Sequence, residues 1–180
     1  MQAAPSEALV VIDIQDFYFE GGALPLVGSV EAADRARRVL DYFRERHLPV
    51  IHVRHLPLGG LDGETYRIRP AVAPVAGETI IVKHYANAFR STDLLDNLKK
   101  AGVTRVVICG MQTQMCVEAT ARAAADLGFD VTVVADACAT RPLEYGGIAV
   151  PADHVQAAAL ATLKGTYAKV VTTDELLAQR

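Results

Sequence analysis

The chain has 180 residues and a mass of 19.3 kDa, the size of one domain, so we expect residues 1–180 to form a single domain. Hydrophobic residues make up 51% of the chain, which predicts a buried core rather than disorder. The formal net charge of -3, without a cluster of Lys and Arg, argues against a nucleic-acid partner. The apolar runs are far shorter than the roughly 20 residues of a membrane helix. Because residues 1–8 also lack the regions of a secretory signal, the sequence predicts a soluble, cytoplasmic protein with no membrane partner.

Six short runs rich in Val and Ile predict β-strands that are covered on both faces. They lie at residues 9–12, 49–53, 79–82, 105–109, 131–135 and 169–171. Helical spacing is found at 30–46, 93–100, 116–127 and 152–163, and a short last helix begins at Thr173, after a capping box formed by Thr172 and Glu175. Alternating strands and helices favour a parallel sheet with helices on both faces. The sequence therefore predicts an α/β fold, a Rossmann-like three-layer α/β/α sandwich with a six-stranded, mostly parallel sheet.

Reactive side chains follow the predicted strands at the point where each strand ends. In open sheets of this kind, ligands bind beyond the carboxyl ends of the strands. We therefore expect an acid, a base and a thiol to converge at that edge of the sheet. The residues concerned are Asp13 after the first strand, Arg54 and His55 after the second, Lys83 and His84 after the third, and Gly110, which leads to Cys116, after the fourth.

Cys116 is the candidate nucleophile. It is predicted to open the helix 116–127, where the helix dipole would lower the pKa of its thiol. The alternative is an inert, buried cysteine, because cysteine often behaves as a small hydrophobic residue. Asp13, at the end of an apolar strand, needs a partner, and Lys83 is the natural one. Taken singly, Asp13 could cap a turn and Lys83 could extend to solvent, but three such residues at three strand ends favour a catalytic site.

The other two cysteines are predicted to be structural. The chain has three cysteines, an odd number, without a Cys-x-x-Cys spacing, so neither a disulfide framework nor a zinc knuckle is indicated. Cys109 ends an apolar strand, and Cys138 lies in a predicted loop.

Three motifs carry a resemblance to a known family. They are VIDIQDFYF at residues 11–19, VKHYANAFRSTDL at 82–94 and GMQTQMCVEATAR at 110–122. In joint spacing they resemble the isochorismatase-like cysteine hydrolases, which include nicotinamidases and N-carbamoylsarcosine amidohydrolase. The similarity extends through 136–140 and 170–176, so it covers nearly the whole chain and implies the isochorismatase-like hydrolase fold.

The resemblance also implies a mechanism. It assigns a triad of Asp13, Lys83 and Cys116, with Cys116 as the nucleophile and Asp13 as proton acceptor and donor. It implies a cis peptide bond between Met111 and Gln112 and an oxyanion hole made by the N–H groups of Gln112 and Cys116. The reaction would be hydrolysis of a C–N bond in a small amide or carbamoyl substrate through a thioester. Family members form homo-oligomers, and we expect the same of this chain.

A catalytic metal and other cofactors are not expected. Nicotinamidases of the family hold a metal with an Asp-x-His pair after the second strand, whereas this chain has Arg54 about where the aspartate would be. His52 is more typical of a core histidine, and His55 alone makes a poor metal site. Two alternatives stay open at this point. One is an isochorismatase-type vinyl-ether hydrolase that relies on Asp13 and tolerates loss of Cys116; the other is a non-catalytic protein that binds a small molecule or senses oxidants through its thiol.

Substrate-binding residues are predicted only by their positions after strand ends. Arg141 is a candidate clamp for a substrate carboxylate, because its guanidinium can donate two parallel hydrogen bonds; a plain surface arginine is the alternative. Four aromatic residues are candidates for the wall of a small apolar pocket or, alternatively, for the core. They are Phe17, Phe19, Tyr85 and Phe89. Residues 144–147 contain paired glycines and are predicted to form a flap over the site or an ordinary turn.

Overall fold

A parallel β-sheet forms the middle layer of the computed structural model, which describes residues 6–60 and 62–178. Its strands are β1 (Ser6–Ile12), β2 (Val50–His55), β3 (Thr79–Lys83), β4 (Val103–Met111), β5 (Asp130–Ala139) and β8 (Lys169–Val171). Between β5 and β8 the chain forms a separate short hairpin of β6 (Leu143–Tyr145) and β7 (Ile148–Val150). The strand order in the sheet is β3-β2-β1-β4-β5-β8, and all five pairings are parallel. The predicted α/β class, and each of the six predicted strands, is therefore confirmed.

Helices cover both faces of the sheet. They are α1 (Ser29–Glu45), α2 (Leu94–Lys100), α3 (Glu118–Asp126), α4 (Ala152–Leu163) and α5 (Thr173–Ala178). Buried residues of α1 and α5 belong to one hydrophobic cluster, and buried residues of α2, α3 and α4 belong to the other. The predicted three-layer sandwich is thus the observed architecture.

The central strand β1 shows why the sequence pattern is continuous rather than alternating. Leu9 and Val11 point into the cluster beneath α1, whereas Val10 and Ile12 point into the cluster on the opposite face. Both faces are dry, so every position of the strand must be apolar. This also explains why a charged residue, Asp13, can follow only where the strand ends.

Three local features differ from or refine the sequence prediction. Cys138, which was predicted to lie in a loop, is a buried residue of β5. Residues 144–147, where we expected a flap or a turn, lie within the antiparallel hairpin β6–β7, whose cross-strand pair Tyr145 and Ile148 is 87% and 68% exposed. At the start of α5, the Thr172 N–H donates to Glu175 Oε2 at 2.7 Å, and the Glu175 N–H donates back to Thr172 Oγ1 at 3.2 Å. This reciprocal pair is the predicted capping box, which is confirmed.

None of the helices in residues 6–60 and 62–178 has both the length and the apolar character needed to cross a bilayer. The cytoplasmic location is not tested by this observation and stays a prediction.

Candidate active site

Asp13 occupies a tightly packed corner at the carboxyl end of β1. Its backbone has a φ of 49°, and its N–H donates to the Val53 carbonyl oxygen at 2.9 Å. Gly110 of β4 lies beside Ile12, and a Cβ atom added there would come within 1.9 Å of the Ile12 carbonyl oxygen. Only glycine permits this approach of β4 to β1. The close approach places the segment that follows β4 next to Asp13.

Lys83 connects Asp13 and Cys116, the two residues with which it was predicted to converge. It is the last residue of β3 and is fully buried, as is Asp13. Its Nζ lies 2.7 Å from Asp13 Oδ2 and donates a hydrogen bond to Cys116 Sγ at 3.2 Å. Within the described part of the chain, neither oxygen of the Asp13 carboxylate accepts a hydrogen bond of regular geometry, so its contact with Lys83 is an ion pair. The carboxylate and the thiol therefore share one cation.

Cys116 lies in a π-helical turn, Thr113–Val117, that precedes α3. The Gln112 carbonyl oxygen accepts hydrogen bonds from the N–H groups of both Met115 and Val117, at 3.1 and 3.2 Å. The helical path thus begins three residues before the predicted start at Cys116. The peptide bond between Met111 and Gln112 is cis. Gln112 is buried and directly precedes the turn that carries the thiol.

The electrostatic environment of Cys116 differs from the sequence expectation. Burial and the neighbouring Asp13 carboxylate raise the pKa of Cys116 to about 12, against the opposing effect of Lys83. The expectation of a lowered thiol pKa was wrong, because loss of hydration outweighs the helix dipole, whose effect is about 0.3–1 kcal/mol at exposed positions. Burial also raises the pKa of Asp13, and Lys83 opposes this. The resting site therefore holds a neutral thiol beside a carboxylate of increased basicity.

His55 belongs to this cluster, as its place among the residues expected to converge predicts, although no role except that of a poor metal ligand was predicted for it. His55 is the register partner of Lys83 across β2 and β3, and its Nδ1 lies 3.1 Å from Lys83 Nζ. Burial and the Lys83 ammonium lower the pKa of His55 to about 4. Gln15, which is also buried, donates to the His55 carbonyl oxygen at 3.0 Å and accepts from the His55 N–H at 2.8 Å. The position of His55 at the end of β2 was the available signal.

A second polar network lies around Gln112. The side chain of Gln112 donates to the Tyr18 hydroxyl at 3.4 Å and accepts from the Gln114 amide at 3.0 Å. Gln114 in turn accepts from the Thr140 hydroxyl. Burial and the Asp13 carboxylate raise the pKa of Tyr18, so its phenol is neutral. Tyr18 lies in the first motif, between the two phenylalanines predicted as site residues, but the sequence does not predict a role for Tyr18 itself.

Arg141 follows β5 and stands close enough to Tyr18 to affect it electrostatically. Its Nη1 donates weakly to the Pro142 carbonyl oxygen, at 3.4 Å. Its Nε is buried and has no acceptor within the described residues. A guanidinium N–H in this condition is available to an incoming acceptor.

The four aromatic candidates lie in different surroundings. Phe17 is buried against Tyr18, with ring centroids 3.9 Å apart, and Phe19 lies in the core cluster under the guanidinium of Arg69. Tyr85 is half-buried under Arg90, and Phe89 stacks on Phe129. Core packing thus accounts for the burial of Phe19, while the half-buried Tyr85 and Phe89 retain exposed ring area. A role of any of them in binding stays a prediction.

The histidine inside β2 belongs to a separate cluster. His52 Nε2 lies 2.9 Å from Glu78 Oε2, and Arg44 binds the same carboxylate through Nε and Nη2 at 2.7 and 2.8 Å. Against the effect of burial, hydrogen bonds from Arg44, the Val75 N–H and His52 lower the pKa of Glu78 to about 2. Across residues 6–60 and 62–178, no three His, Cys, Asp or Glu side chains are grouped so that they could hold a metal ion. Metal-independent catalysis stays a prediction.

Comparison with known proteins identifies the family. The family model described as "Isochorismatase domain" matches residues 7–175. The uncharacterized isochorismatase family protein YddQ of Bacillus subtilis is 43% identical over 176 residues, which are 94% of this chain and 98% of that protein. A crystal structure of an isochorismatase-family protein from Oleispira antarctica superposes with a TM-score of 0.95 at 41% identity and covers 99% of both chains. The chain belongs to the isochorismatase family and is a hydrolase.

One relative with a named activity is an amidase. The maleamate amidohydrolase of Pseudomonas putida is 34% identical over 154 residues, which are 74% of this chain and 72% of that protein.

Proposed function

We propose that this hydrolase is a metal-independent cysteine amidohydrolase that cleaves a C–N bond of a small amide or carbamoyl substrate. The observation that carries the proposal is the contact of one buried ammonium, that of Lys83, with both the Asp13 carboxylate and the Cys116 thiol. A carboxylate that can move a proton, beside a nucleophile whose charge is balanced by a fixed cation, is the arrangement that acyl transfer requires.

In the proposed first step, Asp13 takes the proton of the Cys116 thiol as the sulfur attacks the substrate carbonyl carbon. An S–C bond forms, and the carbonyl oxygen becomes an oxyanion, which the N–H groups of Gln112 and Cys116 are proposed to stabilise. When the oxyanion collapses, the C–N bond breaks and Asp13 delivers its proton to the nitrogen. Ammonia or an amine leaves, and the acyl group remains on the sulfur as a thioester.

In the second step, water replaces the amine. Asp13 takes a proton from the water as its oxygen attacks the thioester carbon, and the proton returns to the departing sulfur. The product is a carboxylic acid, or a carbamic acid from a carbamoyl substrate. The high pKa of the Cys116 thiol supports this concerted use of Asp13, because a thiol with a pKa of about 12 needs an adjacent base at neutral pH.

We further propose that the substrate carries an anionic group that binds Arg141. The buried Nε of Arg141 without an acceptor supports this, since a carboxylate would supply one. The similarity to a maleamate amidohydrolase, whose named substrate is both an amide and an acid, agrees with this choice. Phe17, Phe19, Tyr85 and Phe89 are proposed to border the pocket.

Homo-oligomer formation stays a prediction, which light scattering of the purified protein tests.

The test is a panel of small primary amides and carbamoyl compounds, with and without a carboxylate, assayed by ammonia release. Wild type is compared with Cys116→Ala, Asp13→Asn and Cys109→Ala, the last as a control that removes a buried cysteine elsewhere. We expect wild type and Cys109→Ala to release ammonia, and the other two variants to lose at least about a thousandfold in rate. Intact-mass spectrometry of quenched reactions should show an acyl adduct on wild type.

The same variants separate the alternatives. Ammonia release that persists in Cys116→Ala would contradict the thioester mechanism. Pyruvate release from an isochorismate-like vinyl ether that needs Asp13 and survives Cys116→Ala would establish the isochorismatase-type reaction instead. If no compound is turned over while the thiol is modified, the binding or sensing alternative is favoured.

A further inference from the structure

We propose that His55 is a positioning residue, which holds the Lys83 ammonium in place between Asp13 and Cys116. The inference concerns the same site and rests on the proposed function for its catalytic meaning. His55 itself does not reach the reacting sulfur in this arrangement; it contacts Lys83, which does.

Three groups surround the Lys83 ammonium: the Asp13 carboxylate as an ion-pair partner, and His55 and Cys116 at hydrogen-bond distance. A lysine ammonium is a set of three donors with no acceptor. Here the surrounding groups are Asp13 Oδ2 at 2.7 Å, His55 Nδ1 at 3.1 Å and Cys116 Sγ at 3.2 Å. A lysine side chain rotates about several single bonds, so each further contact restrains the position of its ammonium nitrogen more tightly. His55 supplies the third contact.

The contact requires one protonation state of His55. The Lys83 ammonium can only donate, so Nδ1 must carry a lone pair and the ring proton must sit on Nε2. A protonated imidazole would place a second cation against the ammonium. Burial and Lys83 lower the pKa of His55 to about 4, which keeps the ring neutral at physiological pH.

The backbone of His55 is itself held. The Gln15 side chain bonds both the N–H and the carbonyl oxygen of His55, and it also donates to the Tyr66 carbonyl oxygen at 2.7 Å. Gln15 lies two residues beyond Asp13, so one short segment supplies both the carboxylate and the hydrogen bonds that hold the backbone of His55.

The experiment measures alkylation of Cys116 by iodoacetamide at fixed pH, resolved by peptide mass spectrometry. His55→Asn keeps an acceptor close to the position of Nδ1, whereas His55→Leu keeps comparable bulk without an acceptor. His154→Leu makes the same change at an exposed histidine of α4 and serves as the matched control. Below the thiol pKa, the alkylation rate changes about tenfold for each unit of pKa. Far-UV circular dichroism and thermal unfolding check that each variant folds.

We expect Cys116 in His55→Leu to react about tenfold more slowly than in wild type, because a misplaced ammonium stabilises the thiolate less. His55→Asn should stay within about threefold of wild type, and His154→Leu should be unchanged. Equal rates in folded His55→Leu and wild type would overturn the proposal, and so would equal slowing in the Asn and Leu variants.

If His55→Leu does not fold, His55→Gln replaces it, because its amide lies one methylene further out, near the position of Nε2. The proposal then requires the Gln variant to be slow and the Asn variant to be fast. Alkylation needs no substrate, so a failed amide panel together with this pattern would reject the proposed function and leave the positioning role intact. If the amide panel shows activity but the His55 variants do not show these alkylation rates, the proposed function stands and the positioning role is rejected.

Discussion

Replacing Lys83 by methionine tests the electrostatic basis of the site most directly. The change removes the ammonium and keeps a side chain of similar length in a position that is 0% exposed. Asp13 is also 0% exposed, and Lys83 Nζ, at 2.7 Å, is the cation that lies against it. The variant therefore leaves a carboxylate in a dry environment without its counter-ion.

The expected loss of stability in Lys83→Met follows from the burial of both partners. Removing one member of a fully buried ion pair costs about 3–5 kcal/mol, so we expect the free energy of unfolding of Lys83→Met to fall by that amount at pH 7. Burial already raises the pKa of Asp13 against the effect of Lys83, and loss of Lys83 raises it further. A carboxyl group whose pKa is raised in the folded state favours folding at low pH, and that contribution is lost as the pH rises. The deficit should therefore shrink from pH 7 towards pH 4.

Urea unfolding, followed by far-UV circular dichroism between pH 4 and pH 8, measures both effects. The double variant Asp13→Asn/Lys83→Met removes both charges and should return to within about 2 kcal/mol of wild type. The reasoning is refuted if Lys83→Met loses less than about 1 kcal/mol at pH 7, or if its deficit is the same across the pH range.

Three further perturbations test other parts of the molecule. Glu78→Gln should lower the free energy of unfolding by up to about 3 kcal/mol at pH 7 in urea titrations. Because the folded pKa of Glu78 is depressed to about 2 from 4.5, its contribution is present above pH 4.5 and is lost as the pH falls through 2. Gly110→Ala should prevent folding or lower the free energy of unfolding by more than about 4 kcal/mol, since its Cβ would collide with the backbone of β1. Gly102→Ala, where φ is 66° but the space is open, should lower it by only about 1–2 kcal/mol, as measured by thermal unfolding. Arg141→Leu should raise KM at least about tenfold for an amide that carries a carboxylate and leave KM for a neutral amide within about twofold.

Each of these has a clear contrary result. A loss in Glu78→Gln that matches the loss from the same change at the exposed Glu31, or that persists unchanged in acid, would show that the buried ion cluster is not stabilising. Equal stability of the two glycine variants would contradict the close approach of β4 to β1. Equal KM changes for charged and neutral amides would assign Arg141 a structural role.

The layered fold could be predicted from local sequence because its signals are local. A strand buried on both faces must be apolar at every position, so the runs at 9–12 and 131–135 identify central strands without knowledge of their neighbours. The capping box of Thr172 and Glu175 is likewise complete within one turn of helix. Since parallel strands end at one edge, the convergence of Asp13, Lys83 and Cys116 also followed from the pattern.

Other features depend on contacts between residues that are far apart in the chain, and only the tertiary structure decided them. The bond between His55 and Lys83 depends on the register of β2 against β3, which no run of apolar residues encodes. The pKa of Cys116 depends on how completely the surrounding layers exclude water, and this desolvation reverses the effect expected from the helix alone. Periodicity reports which face of an element is buried, whereas distances and hydration depend on everything packed around it. The sequence alone therefore determined that Asp13, Lys83 and Cys116 meet at one edge of the sheet, and the tertiary structure decided their protonation and the contact of His55 with Lys83.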